Sequence, residues 1–251
     1  MEAACLHTTV SRDRYPYYAH IIGSCPSKQE DSGNIEYYSV IYDAVIISDR
    51  YLIAWHDSSS NAFVDDCTDH RLLLLFGVDR KSWKTGNITK GTQYEVDFVQ
   101  NNHTWMFKTK KPIQFSSVVQ PIPLIESGEG PKPGDLVSII IPYYNVANDQ
   151  WLVIPVDNVT VVNSDDCRKV VSGTNSTDVE SKILKCSDSQ SIWVIIPGQA
   201  CSVSIGEGDA LIVNNKLAGI SDPSASYIMG SYAVQAFANL AKIEGLRNLL
   251  T

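Results

Sequence analysis

Short segments rich in β-branched and aromatic residues dominate this chain, and Gly, Pro, Asn, Asp and Ser separate them. Segments 37–47, 94–99 and 136–141 are examples, and such segments recur roughly 8–15 residues apart. This spacing predicts a β-sandwich or a β-barrel. The chain has 251 residues, of which 44% are hydrophobic, so it can bury a large core of this kind.

Two segments depart from the strand pattern. Segment 164–171 begins Ser-Asp-Asp, which is typical of a short capped helix. Segment 232–250 carries Val234, Phe237 and Ala241 at helical spacing, which predicts a C-terminal helix. A Gly- and Pro-rich stretch at 125–134 is the one linker-like segment, and it divides the strands into two halves.

The charge balance of the chain argues against two classes of partner. With 20 Lys and Arg against 28 Asp and Glu, the net charge is -8. A chain this acidic lacks the basic field that nucleic-acid binding needs. The same sign disfavours docking on anionic lipid, and no apolar run approaches the roughly 20 residues of a membrane-spanning helix. We therefore expect neither nucleic acid nor membrane as a partner. We also expect no cofactor.

The cysteines and glycosylation motifs indicate an extracellular protein. The six cysteines are Cys5, Cys25, Cys67, Cys167, Cys186 and Cys201. None has zinc-ligand spacing, so we expect no metal, and an even number of scattered cysteines predicts three disulfides in a secreted protein. Four N-x-S/T motifs support this, with glycosylation candidates at Asn87, Asn102, Asn158 and Asn175. The N-terminal MEAACLHTT lacks the apolar core of a signal peptide, so we expect a mature form.

Six blocks follow one another along the chain in a distinctive order. They are YPY at 15–17, 44–56 ending in Ala-Trp-His, NNHTWMFK at 101–108, KPIQF and VQPIPL within 111–124, Asp-Asp-Cys at 165–167 and NNKLAGI at 214–220. Their order and spacing resemble the chymotrypsin/trypsin family of serine proteases over nearly the whole chain. The resemblance implies an all-β fold, a single trypsin-like domain over 1–251. It would consist of two perpendicular six-stranded barrels, 15–120 and 121–230, a C-terminal α-helix at 231–251, and an active cleft between the barrels.

The resemblance also implies where a catalytic triad would lie. In the family, a Ser hydroxyl attacks the acyl carbon, a His takes its proton, and a buried Asp orients the His. Here His56 stands at the base position and His103 at the Asp position, and an imidazole cannot supply the missing negative charge. The nucleophile position is Glu207 in one register and Gly208 in the other, so neither register supplies a hydroxyl or a thiol. Loss of the nucleophile alone costs on the order of a million-fold in turnover. We expect a degenerate triad with no functional catalytic residue.

Further departures from the family pattern agree with this expectation. Tyr143 and Tyr144 replace a Gly-Trp-Gly block, and their bulk could fill the cleft. Asp222 and Pro223 fall where the family has the Ser-Trp-Gly pocket wall, and a proline removes a backbone donor that substrate would need. We therefore expect an occluded cleft at these four residues.

The resemblance suggests a disulfide pattern as well. It implies that Cys167 and Cys186 close a loop that begins at the short helix. Cys25 and Cys67 would lie in neighbouring loops and form a substitute bridge, which leaves Cys5 to pair with Cys201. Each bridge would contribute roughly 2–4 kcal/mol of stability. Six cysteines allow 15 pairings, and the residues alone do not choose among them.

These features predict a secreted, catalytically inactive serine protease homologue that acts by binding proteins. A narrower resemblance is to the inactivated protease paralogues of the scabies mite, which are related to the group 3 mite allergens. It implies a protein of the mite gut and faeces that binds host plasma proteins, namely complement components, and inhibits the cascade at the parasite–host interface.

Two other functions stay open at this stage. One is a hydrolase of altered chemistry that uses His56, His103 and Glu207, for which a pH profile with a neutral pKa would be typical. The other is a non-catalytic cofactor of an arthropod immune protease cascade, which would bind an endogenous protease or zymogen. The residues identify neither the binding face nor the oligomeric state.

Overall fold

The computed structural model describes residues 9–26, 36–54, 71–75, 93–101, 104–145, 147, 150–173, 186–197, 208–229, 232–243 and 246–250. The chain divides into two compact units. The N-terminal unit contains Val10–Ile122 and Pro142–Val153, and the C-terminal unit contains Pro123–Ile141 and Ile154–Thr251.

Six antiparallel strands of the N-terminal unit form a closed barrel. They are β2 (Tyr18–Pro26), β3 (Glu36–Ile46), β4 (Tyr51–Ala54), β5 (Arg71–Leu75), β6 (Gln93–Asn101) and β7 (Thr104–Thr109), joined in the order β2-β3-β4-β7-β6-β5. Every second residue points inward, because side chains alternate along a strand. Ala19 and Ile21, Ala44 and Ile46, and Leu52 and Ala54 therefore fill one core together with Phe107.

A second set of six strands closes in the same way, with a short strand β1 (Val10–Ser11) at its side. The six strands are β8 (Leu136–Asn145), β9 (Gln150–Val162), β10 (Ser191–Pro197), β11 (Ala210–Val213), β12 (Lys216–Met229) and β13 (Tyr232–Asn239). The sheet order is β1-β9-β10-β13-β12-β11-β8, and β8 also pairs with β9. The core contains Leu211, Ala218 and Phe237, all fully buried. Gly219 passes so close to Phe237 that an added Cβ would lie 2.8 Å from the Phe237 Cβ, so only glycine fits there.

The short predicted helix and its disulfide are both confirmed. Helix α1 spans Ser164–Ser172, and the Asn163 side chain caps it by accepting a hydrogen bond from the Asp166 N–H at 2.8 Å. Cys167 in this helix is bonded to Cys186, and the bridge is buried against Trp193 and Val234. Within the described residues, no helix is long and apolar enough to cross a bilayer.

The predicted C-terminal helix at 231–251 is wrong over the residues that the structure describes there. Tyr232–Asn239 is strand β13, and two short 3-10 turns follow, at Leu240–Lys242 and Arg247–Leu249. The strand is buried on both faces: Ala233 and Phe237 face the barrel core, while Val234 and Ala236 pack against the disulfide. A strand covered on both faces reads as a continuous apolar run, and periodicity does not distinguish it from a buried helix.

Candidate functional site

Most of the predicted triad lies outside the described residues. This applies to His56, His103 and Glu207. It applies also to Cys5, Cys67 and Cys201, and to Asn87, Asn102 and Asn175. Cys25 lies in β2, but its side chain is not described, so the pairings Cys25–Cys67 and Cys5–Cys201 stay predictions.

Gly208 is the first described residue of the nucleophile loop. It is buried, and its φ of +96° lies in the left-handed region, which favours glycine. In the register that matches Gly208 to the family's serine, this position therefore has no side chain at all. The backbone turns here into strand β11, and the N–H of Ser221 donates to the carbonyl oxygen of Asp209 at 2.9 Å.

The next residue, Asp209, belongs to a fully buried polar pair. The Gln235 Nε2 donates to Asp209 Oδ2 at 3.0 Å, and neither residue has any exposed surface. A carboxyl group buried in a barrel needs such a donor, because burial without hydrogen bonds is costly. The sequence reasoning missed Gln235, although it is the one amide in the apolar run 233–238. Neither an amide nor a buried carboxyl is a useful nucleophile toward a peptide.

A second polar pair, a buried histidine with a half-buried carboxyl group, lies in the N-terminal unit. His20 on β2 and Asp43 on β3 are direct partners in the strand register, and His20 Nδ1 lies 2.5 Å from Asp43 Oδ1. A histidine held by a carboxylate is the arrangement that general-base catalysis uses. His20, however, is only 5% exposed in the barrel wall, so a substrate cannot reach it, and we assign the pair a structural role. The sequence reasoning considered neither residue.

The four residues predicted to occlude a cleft lie in strands β8 and β12. Tyr143 is 40% exposed, and the side chains of Tyr144, Asp222 and Pro223 are not described. The pairing of β12 with β13 shifts in register between Asp222 and Tyr227. Such an irregularity is expected beside a proline, which cannot donate to the ladder. Occlusion itself stays a prediction.

A polar cavity of about 400 Å³ lies in the C-terminal unit, and none of these four residues lines it. Its lining is Ile125, Gly128, Glu129, Gly130, Lys132, Asp135, Val213, Asn214 and Lys216. Lys216 Nζ donates to Glu129 Oε2 at 2.7 Å. This bond, together with the N–H of Glu126, holds the pKa of the Glu129 carboxyl below its ordinary value, and it raises the pKa of Lys216. No group of three metal-ligating side chains occurs in the part of the chain that the structure describes.

The fold is shared with solved structures of very different sequence. The scabies mite inactivated protease paralogue S-D1 is 15% identical, with a TM-score of 0.58 over 97% of this chain and 94% of that one. Granzyme C is 14% identical, with a TM-score of 0.59 over 98% of each chain. At these identities the likeness shows the fold alone, which is the chymotrypsin-like double barrel. No family model and no curated protein matches the chain.

Proposed function

We propose that this chain, which has the double-barrel fold of the chymotrypsin-like serine proteases, is a secreted homologue without catalytic activity. It acts by binding proteins through its surface. The partners we propose are host plasma proteins, and specifically complement components, whose cascade it inhibits at the parasite–host interface.

The observation that supports inactivity is the residue content of the nucleophile loop. Segment 205–210 reads Ile-Gly-Glu-Gly-Asp-Ala and contains no alcohol or thiol. In one register the attacking group would be the carboxylate of Glu207, a poor nucleophile toward peptides because the anhydride that it forms reverses easily. In the other register it would be Gly208, which has no side chain, and the following Asp209 is buried against Gln235.

The fold does not decide between an enzyme and a binding protein, because function depends on the site. One structural neighbour is called an inactivated protease paralogue, and the other, granzyme C, is an active protease. The residues of this chain favour the first kind of relative. Exposed aromatic side chains at Phe115 and Tyr143 are of the type that anchors protein interfaces.

A labelling and turnover assay tests the catalytic half of the proposal. We expect the full chain to give no hydrolysis of peptide or ester substrates above a buffer blank, and no labelling by a serine-directed phosphonate. Glu207→Gln is the matched variant, and it should behave like the unchanged chain. Covalent labelling would overturn the proposal, whereas activity that disappears in Glu207→Gln would support the altered hydrolase.

A parallel capture experiment tests the binding half. Immobilised protein is incubated with host plasma and, separately, with mite extract, and the retained proteins are identified by mass spectrometry. We expect complement components from plasma, and reduced complement-mediated lysis when the soluble protein is added. Retention of an endogenous protease or zymogen from the extract alone would instead support the immune-cascade cofactor.

A further inference from the structure

Asn158 is the one glycosylation-motif asparagine within the described residues, and its surroundings are those of an accessible acceptor. Asn158 and Thr160 are exposed, while Val159 between them is fully buried. The amide and the hydroxyl of this Asn-Val-Thr motif on β9 are therefore both open to solvent.

The local backbone also sets Asn158 apart from its neighbours in the strand. Its φ of +58° is in the left-handed region, which a non-glycine residue seldom adopts in the middle of a strand. The preceding carboxylate, Asp157, is engaged by the Ser138 hydroxyl at 2.6 Å. The Asn158 amide has no hydrogen-bond partner among the described residues, so its modification would break no hydrogen bond between them.

We propose that Asn158 carries an N-linked glycan, an inference that rests on the secretion assumed in the proposed function. The motif Asn-x-Thr is the acceptor pattern for this modification. The co-reactant is a lipid diphosphate-linked oligosaccharide. The Asn158 amide nitrogen forms a bond to the anomeric carbon of the first sugar, the bond from that carbon to the diphosphate oxygen breaks, the lipid diphosphate leaves, and the nitrogen loses one proton.

The glycan has a consequence for where a protein partner binds. Leu136, on the neighbouring strand β8, is 62% exposed, the highest value among the large apolar side chains described. Two contacts flank it on the paired strand: the Val161 N–H donates to the Asp135 carbonyl oxygen at 2.9 Å, and Ser138 bonds to Asp157. These contacts place Leu136 beside the Asn158 motif in the strand pairing, so a glycan at Asn158 would hinder a protein partner from docking on this apolar residue.

The test isolates this motif from the other three. The full chain, behind a cleavable signal peptide, is translated in a cell-free system with endoplasmic reticulum microsomes, in a background of Asn87→Gln, Asn102→Gln and Asn175→Gln. Only chains that the microsomes protect from added protease are scored. We expect one upward step in apparent mass, which an N-glycosidase removes. Asn158→Gln and Thr160→Ala should lose the step, and Thr160→Ser should keep it.

Two results would overturn this inference. One is a protected chain with no step in mass; the other is a step that persists in Asn158→Gln. Neither result bears on inactivity or on partner binding when the labelling and capture assays are run on protein produced in bacteria, which has no glycan. Conversely, the protein could carry a glycan at Asn158 and also be labelled by the phosphonate. The glycan would then support this inference, and the labelling would overturn the assignment of the chain as inactive.

Discussion

The two barrels join their strands in the same circular order, first-second-third-sixth-fifth-fourth, although their connections and buried polar groups differ. In the N-terminal barrel a four-residue turn, 47–50, joins the second and third strands. In the C-terminal barrel the same connection runs over 163–190 and contains α1 and the disulfide. The shared order therefore tolerates a very different connection at an equivalent place.

The buried polar groups make a second contrast. The N-terminal barrel pairs a buried histidine, His20, with the half-buried carboxyl group of Asp43 on the adjacent strand. The C-terminal barrel buries a carboxyl group with an amide, Asp209 with Gln235. Alternating apolar side chains are common to both barrels, whereas each polar pair is particular to one. We infer that the apolar pattern specifies the barrel and that the polar pairs secure its register.

Truncation of one central aromatic residue in each barrel gives the largest expected effect. Phe107 and Phe237 are both fully buried in the core of their own barrel. Phe107→Ala and Phe237→Ala should each lower the free energy of unfolding by about 3–5 kcal/mol, because each leaves a cavity. Urea unfolding followed by circular dichroism measures this. A loss below about 1 kcal/mol for either variant, as for an exposed site, would contradict the equivalence of the two cores.

Removal of the disulfide tests whether the long connection depends on it. We expect Cys167→Ser with Cys186→Ser to lower the free energy of unfolding by about 3 kcal/mol, since the bridge limits the unfolded chain over a loop of this length. Arg168→Ala is the matched control in the same helix, because its contacts to Asp165 and Ser187 are exposed. If the control lost as much stability as the double variant, the helix contacts and not the bridge would hold the connection.

The residues and the family resemblance together predicted most of the strands, helix α1, the double-barrel fold and the Cys167–Cys186 bridge, but not strand β13. Alternation identified the strands, and the Ser-Asp-Asp start identified α1, because these signals depend only on neighbouring residues. Segment 232–250 was predicted as a helix, but its first part is strand β13. This strand pairs with a neighbour on each side and is covered on both faces, so its apolar residues form a run whose spacing fits a helix and a strand equally well.

In the candidate site, the content of one segment was predictable, whereas contacts between strands were not. The lack of an alcohol or thiol in segment 205–210 could be read directly from the residues. The bond from Gln235 to Asp209 joins residues 26 apart, and His20 meets Asp43 across 23 residues. Both contacts depend on strand register, which a single sequence does not state.

Replacement of Asp43 sharpens the contrast between a half-buried and an exposed carboxyl group in one barrel. We expect Asp43→Ala to lower the free energy of unfolding by about 1–3 kcal/mol, because His20 loses its partner in the barrel wall. Asp97→Ala is the control: Asp97 is largely exposed and lies 3.9 Å from Lys110, so its loss should cost less than about 0.5 kcal/mol. Thermal unfolding at neutral pH compares the two variants, and equal midpoints would show that the His20 contact adds no stability.

The smallest effect concerns an exposed ion pair of the C-terminal unit, Glu129 with Lys216. The ion pair lowers the pKa of the Glu129 carboxyl group from its ordinary value of 4.5. The stability that Glu129 contributes is therefore present above pH 4.5, and it is lost as the pH falls through the lowered pKa of the folded state. The pKa of Lys216 is raised from 10.5, so the stability that Lys216 contributes is present below pH 10.5 and is lost as the pH rises through the raised pKa.

The difference in urea midpoint between the unchanged chain and Glu129→Gln should therefore exist at pH 7 and shrink at pH 3. Glu126→Gln controls for the removal of a carboxylate from the same turn. A difference that is unchanged at pH 3 would show that Glu129 acts through its packing and not through its charge.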